Sequence, residues 1–412
     1  MNILTLISIL VAICAVFSYI NVRFLKMPSA IGLMLISLLC SFIIIAIGKV
    51  NTTFYHQVET TLRSINFSQT LLNVMLGFLL FAGALNIDLK ELKKQRIPVF
   101  SFSTISVALS IFLFGSLMWT VFKLFDFSVE YIYCLLFGAL VSPTDPIAVL
   151  GILKKSNMSK EIETTINSES LFNDGVGVVF FVTISEVISF GAQNVSVTDM
   201  LFLFLREVIG GLALGFGLGY AAFYFIRKIN HYQTEVLLSL ALVMISGTIS
   251  QLFHVSGPLA VIVIGLILGN KIRNTAMSDI SQDYHNKFWE LIDDFLNAFL
   301  FVLIGLQMVL LPFITNYILI GFFAIFLLLV CRFVSLSIPI LFFRNKKLFN
   351  SRTALVLTWG GLRGGLSIAL TLSLPNSAYK EIIVSITYII VIFSIIVQGL
   401  TTGKLVKRLY KD

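Results

Sequence analysis

The chain has 412 residues, of which 58% are hydrophobic and 12% charged, against about 25% charged in a soluble globular protein. That composition excludes a soluble globule and predicts an all-α polytopic membrane protein embedded in a lipid bilayer. The net charge of +8 is carried by orienting loops and gives no reason to expect a nucleic acid partner, while four cysteines scattered through apolar runs exclude a disulfide framework or a cysteine-bound metal.

Apolar runs near the ~20 residues that cross a hydrocarbon core recur thirteen times, at 2–22, 29–48, 69–87, 97–122, 131–153, 164–190, 199–226, 234–252, 255–270, 288–311, 317–343, 353–374 and 382–402. The first leads directly into the second with no small-residue cleavage site, so it reads as a span and not a signal peptide. Lys and Arg set the orientation. Every second connection, from the loop with Arg23 and Lys26 to the tail with Lys404, Lys407, Arg408 and Lys411, collects 22 of the 29 basic residues. The opposite side holds four, Lys49, Arg63, Lys123 and Lys380. The N-terminus is therefore expected outside and the C-terminus in the cytoplasm; an even number of spans would scramble the split. The short tail, 403–412, leaves no room for a soluble regulatory domain.

The fifth span carries VSPTDPI at 141–147. Pro143 and Pro146 each remove a backbone donor and clash with the preceding turn, and each pushes the residue before it, Ser142 and Asp145, towards extended geometry. The helix is expected to break near Thr144. Unwound backbone at membrane depth is tolerated only where it is buried in protein or lines a cavity. Its free carbonyls are potential cation ligands, and Asp145 is placed to neutralise a positive half-helix N-terminus. A simple proline kink is the alternative, and it leaves the carboxylate unexplained.

The sixth span contains Glu169, Ser170, Leu171, Phe172, Asn173 and Asp174 within an otherwise membrane-buried stretch. Charge at bilayer depth is costly, so these carboxylates mark a cation or proton site, unless the segment is a helix end lying in water. Relative to Glu169, Asn173 lies at about 40° around the helix axis, Ser170 at about 100° and Asp174 at about 140°. The four fit on one side of the helix, and Gly175 and Gly177 admit a neighbouring backbone. In the seventh span, GGLALGFGLG at 210–219 has no strand before it and reads as a packing surface rather than a nucleotide loop. His56, His231, His254 and His285 form no metal pair at helical spacing.

Arg332 lies well inside the eleventh span and needs a partner; the most available acid is Glu169, and the alternative is snorkelling to an interface. The twelfth span is interrupted by WGGLRGG at 359–365. Its glycines weaken the helix, and Arg363 is placed to offset the negative ends of broken helices. Interrupted spans in the fifth and twelfth places correspond if 1–190 and 234–402 are repeats joined by a linker helix at 199–226. An odd number of spans between the halves makes the repeats inverted, a pattern that points to a transporter binding site.

These segments resemble the monovalent cation/proton antiporters of the sodium/proton-exchanger type, NhaP-like members above all. The resemblance rests on 137–147 (FGALVSPTDPI), 169–175 (ESLFNDG), 256–270 (SGPLAVIVIGLILGN), 359–375 (WGGLRGGLSIALTLSLP) and Arg332. At 79–85 (LLFAGAL) many relatives carry an acid where this chain has Ala82. The resemblance implies thirteen helices, with the fifth and twelfth unwound and crossing in a core domain, and a separate dimerisation domain. It implies that Asp174 is the main cation and proton carboxylate, with Glu169, Ser170 and the Thr144 carbonyl as further ligands of a monovalent metal cation. Asn173 and Asp145 then stabilise the crossover and Arg332 partners Glu169. Asn173-Asp174 resembles the electroneutral subgroup, which exchanges one cation for one proton.

Na⁺ is the expected cargo, since a hard cation takes oxygen ligands; no cofactor is implied. Proton and cation then compete for one carboxylate, and only its neutralised form crosses the barrier cheaply. K⁺/H⁺ exchange would use the same ligands. From other classes, Asp145 and Asp174 admit an intramembrane aspartyl protease, and a cation channel is a third reading. Size and the missing tail point to a prokaryotic inner membrane, and the resemblance implies a homodimer.

Overall fold

The structure, a computed structural model, describes residues 3–64, 67–145, 160–191, 195–272, 278–311, 315–342 and 351–409. Among them, regular structure is helical apart from one isolated bridge between Asp145 and Leu362. In chain order the helices are α1 (3–25), α2 (Ser29–Gly48), α3 (Thr52–Ser64), α4 (67–85), α5 (Leu89–Lys94), α6 (Arg96–Leu124), α7 (Tyr131–Val141) and α8 (Lys160–Phe190). There follow α9 (Val197–Ile226), α10 (Tyr232–Phe253), α11 (257–272), α12 (Asp279–Gln307, with one further tight turn), α13 (Thr315–Phe342), α14 (Ser351–Gly360), α15 (Gly365–Leu372) and α16 (Lys380–Leu409). Ten helices among the described residues are long and apolar enough to cross a membrane, and two shorter ones, α7 and the apolar stretch of α11, are apolar. The protein is an all-helical, multi-pass membrane protein.

Local chemistry sets several of these boundaries. Ser196 accepts from the Asp199 N–H while the Asp199 carboxylate accepts from the Ser196 N–H, a reciprocal cap that starts α9. Ser256 caps α11 by accepting from the Leu259 N–H, with Pro258 in the first turn, where its missing donor costs nothing. Ser278 caps α12 in the same way through Ser281. That cap lies ten residues before the expected start at 288, because the helix continues as a polar, amphipathic segment beyond its apolar run. The last helix likewise runs past 402 to Leu409, so most of the expected tail is helical. α3 is an additional amphipathic helix in the connection before α4. The expected fifth span ends as a helix at Val141; Pro146, Ile147 and the rest of that run to 153 lie outside the described residues, as do 410–412.

α4 packs on α11, α12 on α2, α6 on both α7 and α13, and α13 on α16. The glycine run of α9 forms a flat face against α11: Gly211, Gly215 and Gly219 are buried there, and a Cβ on Gly215 would stand 2.6 Å from the Ala260 carbonyl oxygen. Side-chain-free helix faces allow this approach. α1, α9 and α10 are the least buried of the long helices and α16 the most, so the broken helices lie in the interior.

Candidate cation site

The site is built on two interruptions. α7 stops at Val141, and Ser142, Pro143 and Thr144 continue as non-helical chain. α14 stops at Gly360, and helix resumes as α15 at Gly365. The two unwound stretches cross antiparallel, with the Asp145 N–H donating to the Leu362 carbonyl at 2.7 Å. Pro143 has no N–H to offer, so backbone pairing resumes only beyond it. The backbone groups freed by the break must be satisfied inside the protein, and buried side chains do this. Arg363 Nη1 donates to the Gly361 carbonyl at 2.6 Å and Nε to the Val141 carbonyl at 3.2 Å. Those carbonyls are the negative C-terminal ends of α14 and α7. The Arg363 N–H in turn donates to Ser394 Oγ at 2.8 Å, and Gln398 Nε2 to the Trp359 carbonyl at 3.1 Å, tying the break to α16. The Asp145 carboxylate lies over Gly364, just before the N-terminus of α15; a Cβ there would stand 3.3 Å from its Oδ2.

α8 lies across this crossover. Ser170 Oγ donates to the Thr144 carbonyl, Asn173 Nδ2 donates to Thr144 Oγ1 at 2.8 Å, and the Asp174 carboxylate accepts from the Thr144 N–H. One residue of the break is thus held by three of the four polar side chains of α8. The fourth, Glu169, is buried against Arg332: Arg332 Nη2 donates to Glu169 Oε1, which also receives Asn173 Nδ2 at 3.3 Å. α8 comes this close because of Gly177, where a Cβ would stand 2.7 Å from the Pro143 ring. Gly175 instead meets the Leu259 and Ile262 side chains of α11.

A cavity of about 670 Å³ reaches this cluster. Thr144, Asp145, Ser170 and Asp174 line it, and Glu169, Asn173, Arg332 and Arg363 do not. The structure therefore separates the eight residues into four that face the cavity and four that are packed behind it. The cavity also shows what the reading of the sequence passed over: Glu163 and Asn167 of α8, and Glu290, Asp293, Asp294 and Asn297 of α12. Asn297 Nδ2 donates to Asp293 Oδ1 at 3.1 Å. Adjacent acids one turn before an Asn, inside an apolar run, are the signal that would have found them.

An oxygen-rich wall of carboxylate, hydroxyl and carbonyl groups suits a hard cation, and a family model described as "Sodium/hydrogen exchanger, transmembrane" matches residues 9–408. The chain belongs to the sodium/hydrogen exchanger family. Among curated exchangers it is 44% identical to the Na⁺/H⁺ antiporter NhaP of Pseudomonas aeruginosa, over 99% of this chain and 97% of that one. It is 31% identical to the Na⁺/H⁺ antiporter NhaH of Halobacillus dabanensis, again over 99% of this chain and 97% of that one. Its fold is similar to that of the sodium proton antiporter MjNhaP1 from Methanocaldococcus jannaschii, with a TM-score of 0.76 over 100% of both chains at 20% identity. As a member of a transporter family the protein is not an enzyme, so Asp145 and Asp174 do not make a protease dyad. In this exchanger Ala82, where many relatives were expected to carry an acid, is a buried wall residue of the same cavity.

Proposed function

We propose that the protein is a Na⁺/H⁺ antiporter in which Asp174 alternately carries the cation and the proton, exchanging one Na⁺ for one H⁺. The observation that carries this reading is the division of the buried charges. Glu169 and Arg332 neutralise each other, Arg363 is spent on the carbonyl ends of α7 and α14, and Asp145 faces the N-terminus of α15. Asp174 lines the cavity and, among the described residues, receives only the Thr144 N–H and has no cationic side chain beside it. A carboxylate in this position is neutralised by whichever of the two ions reaches it, and only the neutral form crosses cheaply. Thr144 and Ser170 are its proposed co-ligands. Glu169 acts in this proposal through Asn173 rather than as an exposed ligand, and Asn173, Asp145, Arg332 and Arg363 hold the crossover in shape.

The wider architecture belongs to the same proposal. Adding α7, α11 and the α14–α15 pair to the ten long helices makes thirteen crossings. The packing supports inverted repeats at 1–190 and 234–402: α4 on α11 is mirrored by α12 on α2, and α6 on α7 by α13 on α14. The linker, α9, leaves apolar side chains such as Phe202, Ile209 and Phe216 exposed, open to lipid or to the second copy of a homodimer. The Lys- and Arg-rich side is taken as cytoplasmic, in a bacterial inner membrane, so the cavity at Asp174 opens inwards.

The test is proton flux in proteoliposomes after an imposed Na⁺ gradient. Asp174→Asn is expected to abolish it, and Asp174→Glu to keep a reduced rate. A one-for-one exchange is also expected to run at the same rate with and without an imposed membrane potential. Surviving Na⁺-driven flux in Asp174→Asn would sink the reading.

A further inference from the structure

A second cavity, of about 520 Å³, lies at the other end of α8, between α8 and the helices α4, α9, α10 and α11. The two cavities follow one another along α8. Ser170, Leu171 and Asp174 line the first, Val178, Val179 and Val182 the second, and Leu76 of α4 lines both. From Asp174 to Val178 is a single turn, ~6 Å of helix.

The second cavity holds charges that the exchange reading does not use. Glu186 of α8 and Arg206 of α9 form an ion pair at 3.8 Å. Next to Arg206 in sequence, Glu207 lines the cavity and is buried to 6% exposure. Its carboxylate makes no hydrogen bond or ion pair among the described residues; its backbone carbonyl is occupied by the Ser256 N–H. Arg206 and Glu186 lie within electrostatic reach of it, and among the described residues His254 is the other titratable one on the wall. Two carboxylates against one guanidinium leave one negative charge without a fixed partner. Such a charge out of water draws a proton or a cation. The same wall carries Asn73, Ser250 and Gln251, whose oxygens suit a hard monovalent cation.

We propose that Glu207 is a second cation-binding carboxylate of the exchanger, which takes up the monovalent cation on the face opposite Asp174's cavity. From there the cation reaches Asp174 when the Leu76–Val178 barrier opens. The inference rests on the exchange reading, and it makes one face of the protein depend on a residue that the other face does not need.

The experiment measures KM for Na⁺ in right-side-out and in everted membrane vesicles carrying the full chain. Glu207→Gln is expected to raise KM roughly tenfold on one face only, with the maximal rate and the opposite KM unchanged, as for loss of a uniform binding interaction. Glu207→Asp, which keeps the charge, should recover most of the affinity. If Glu207 is instead a neutral structural acid, Gln is silent, and unchanged KM values on both faces overturn the proposal. So does an equal rise on both faces, or loss of exchange at saturating Na⁺ in both variants. Absence of Na⁺/H⁺ exchange in the unsubstituted protein would fall on the exchange reading itself.

Discussion

Glu169 and Asp174 are five residues apart on α8 and have opposite circumstances. Glu169 has Arg332 as a buried partner; Asp174 has a cavity. Removing one member of a buried ion pair leaves the other uncompensated, at about 3–5 kcal/mol, whereas replacing both by apolar residues of similar volume is often neutral. Arg332→Met alone is therefore expected to lower thermal stability in detergent strongly. Arg332→Met combined with Glu169→Leu should recover most of that loss while leaving Na⁺-driven proton flux impaired, because Asn173 then loses one of its two acceptors. A double variant no more stable than the single one would contradict a charge-pairing role. The proposed division between a structural carboxylate and a transporting one lives at this scale.

At the scale of elements, the crossover depends on how closely α8 approaches the chain at Pro143. The approach leaves no room for a β-carbon at Gly177. Gly177→Val is expected to push α8 away from the break and separate Ser170, Asn173 and Asp174 from Thr144, abolishing exchange with the protein still inserted in the membrane. Gly217 faces open space, so Gly217→Val should leave exchange near the unsubstituted rate. Equal losses in the two variants would show that helix propensity, and not the contact with Pro143, is what matters. α12 contributes differently. It carries Glu290, Asp293 and Asp294 from inside its apolar run onto the cavity wall, and its polar segment from Asp279 extends the helix well before that run.

For the whole molecule, two cavities at opposite ends of α8, with Leu76 common to both, leave a thin barrier beside Asp174. If the halves are the inverted repeats proposed above, alternating exposure then needs only a modest displacement of α8 and the crossover against α4 and α11, the rigid-body motion general to such repeats. Sidedness gives a direct check. A cysteine at Asn286, on the first cavity, is expected to react with a membrane-impermeant thiol reagent in everted vesicles and one at Gln251, on the second, in right-side-out vesicles, with the unsubstituted chain as blank. The reverse pattern would invert the proposed orientation.

The sequence alone determined the all-helical membrane class and marked the four anomalous segments, because hydropathy, proline and glycine effects and the cost of intramembrane charge act locally or sum along the chain. It also placed Glu169, Ser170, Asn173 and Asp174 on one side of a helix, which follows from periodicity. It did not separate the cavity-facing Asp145 from the packed-away Glu169, nor bring Asp293 of α12 to the site, nor reveal Glu207 beside a second cavity. Those depend on which helices pack together, and the lipid-like uniformity of apolar side chains leaves that choice invisible along the chain. Only the tertiary structure decides which carboxylate finds a counter-charge and which is left facing a cavity.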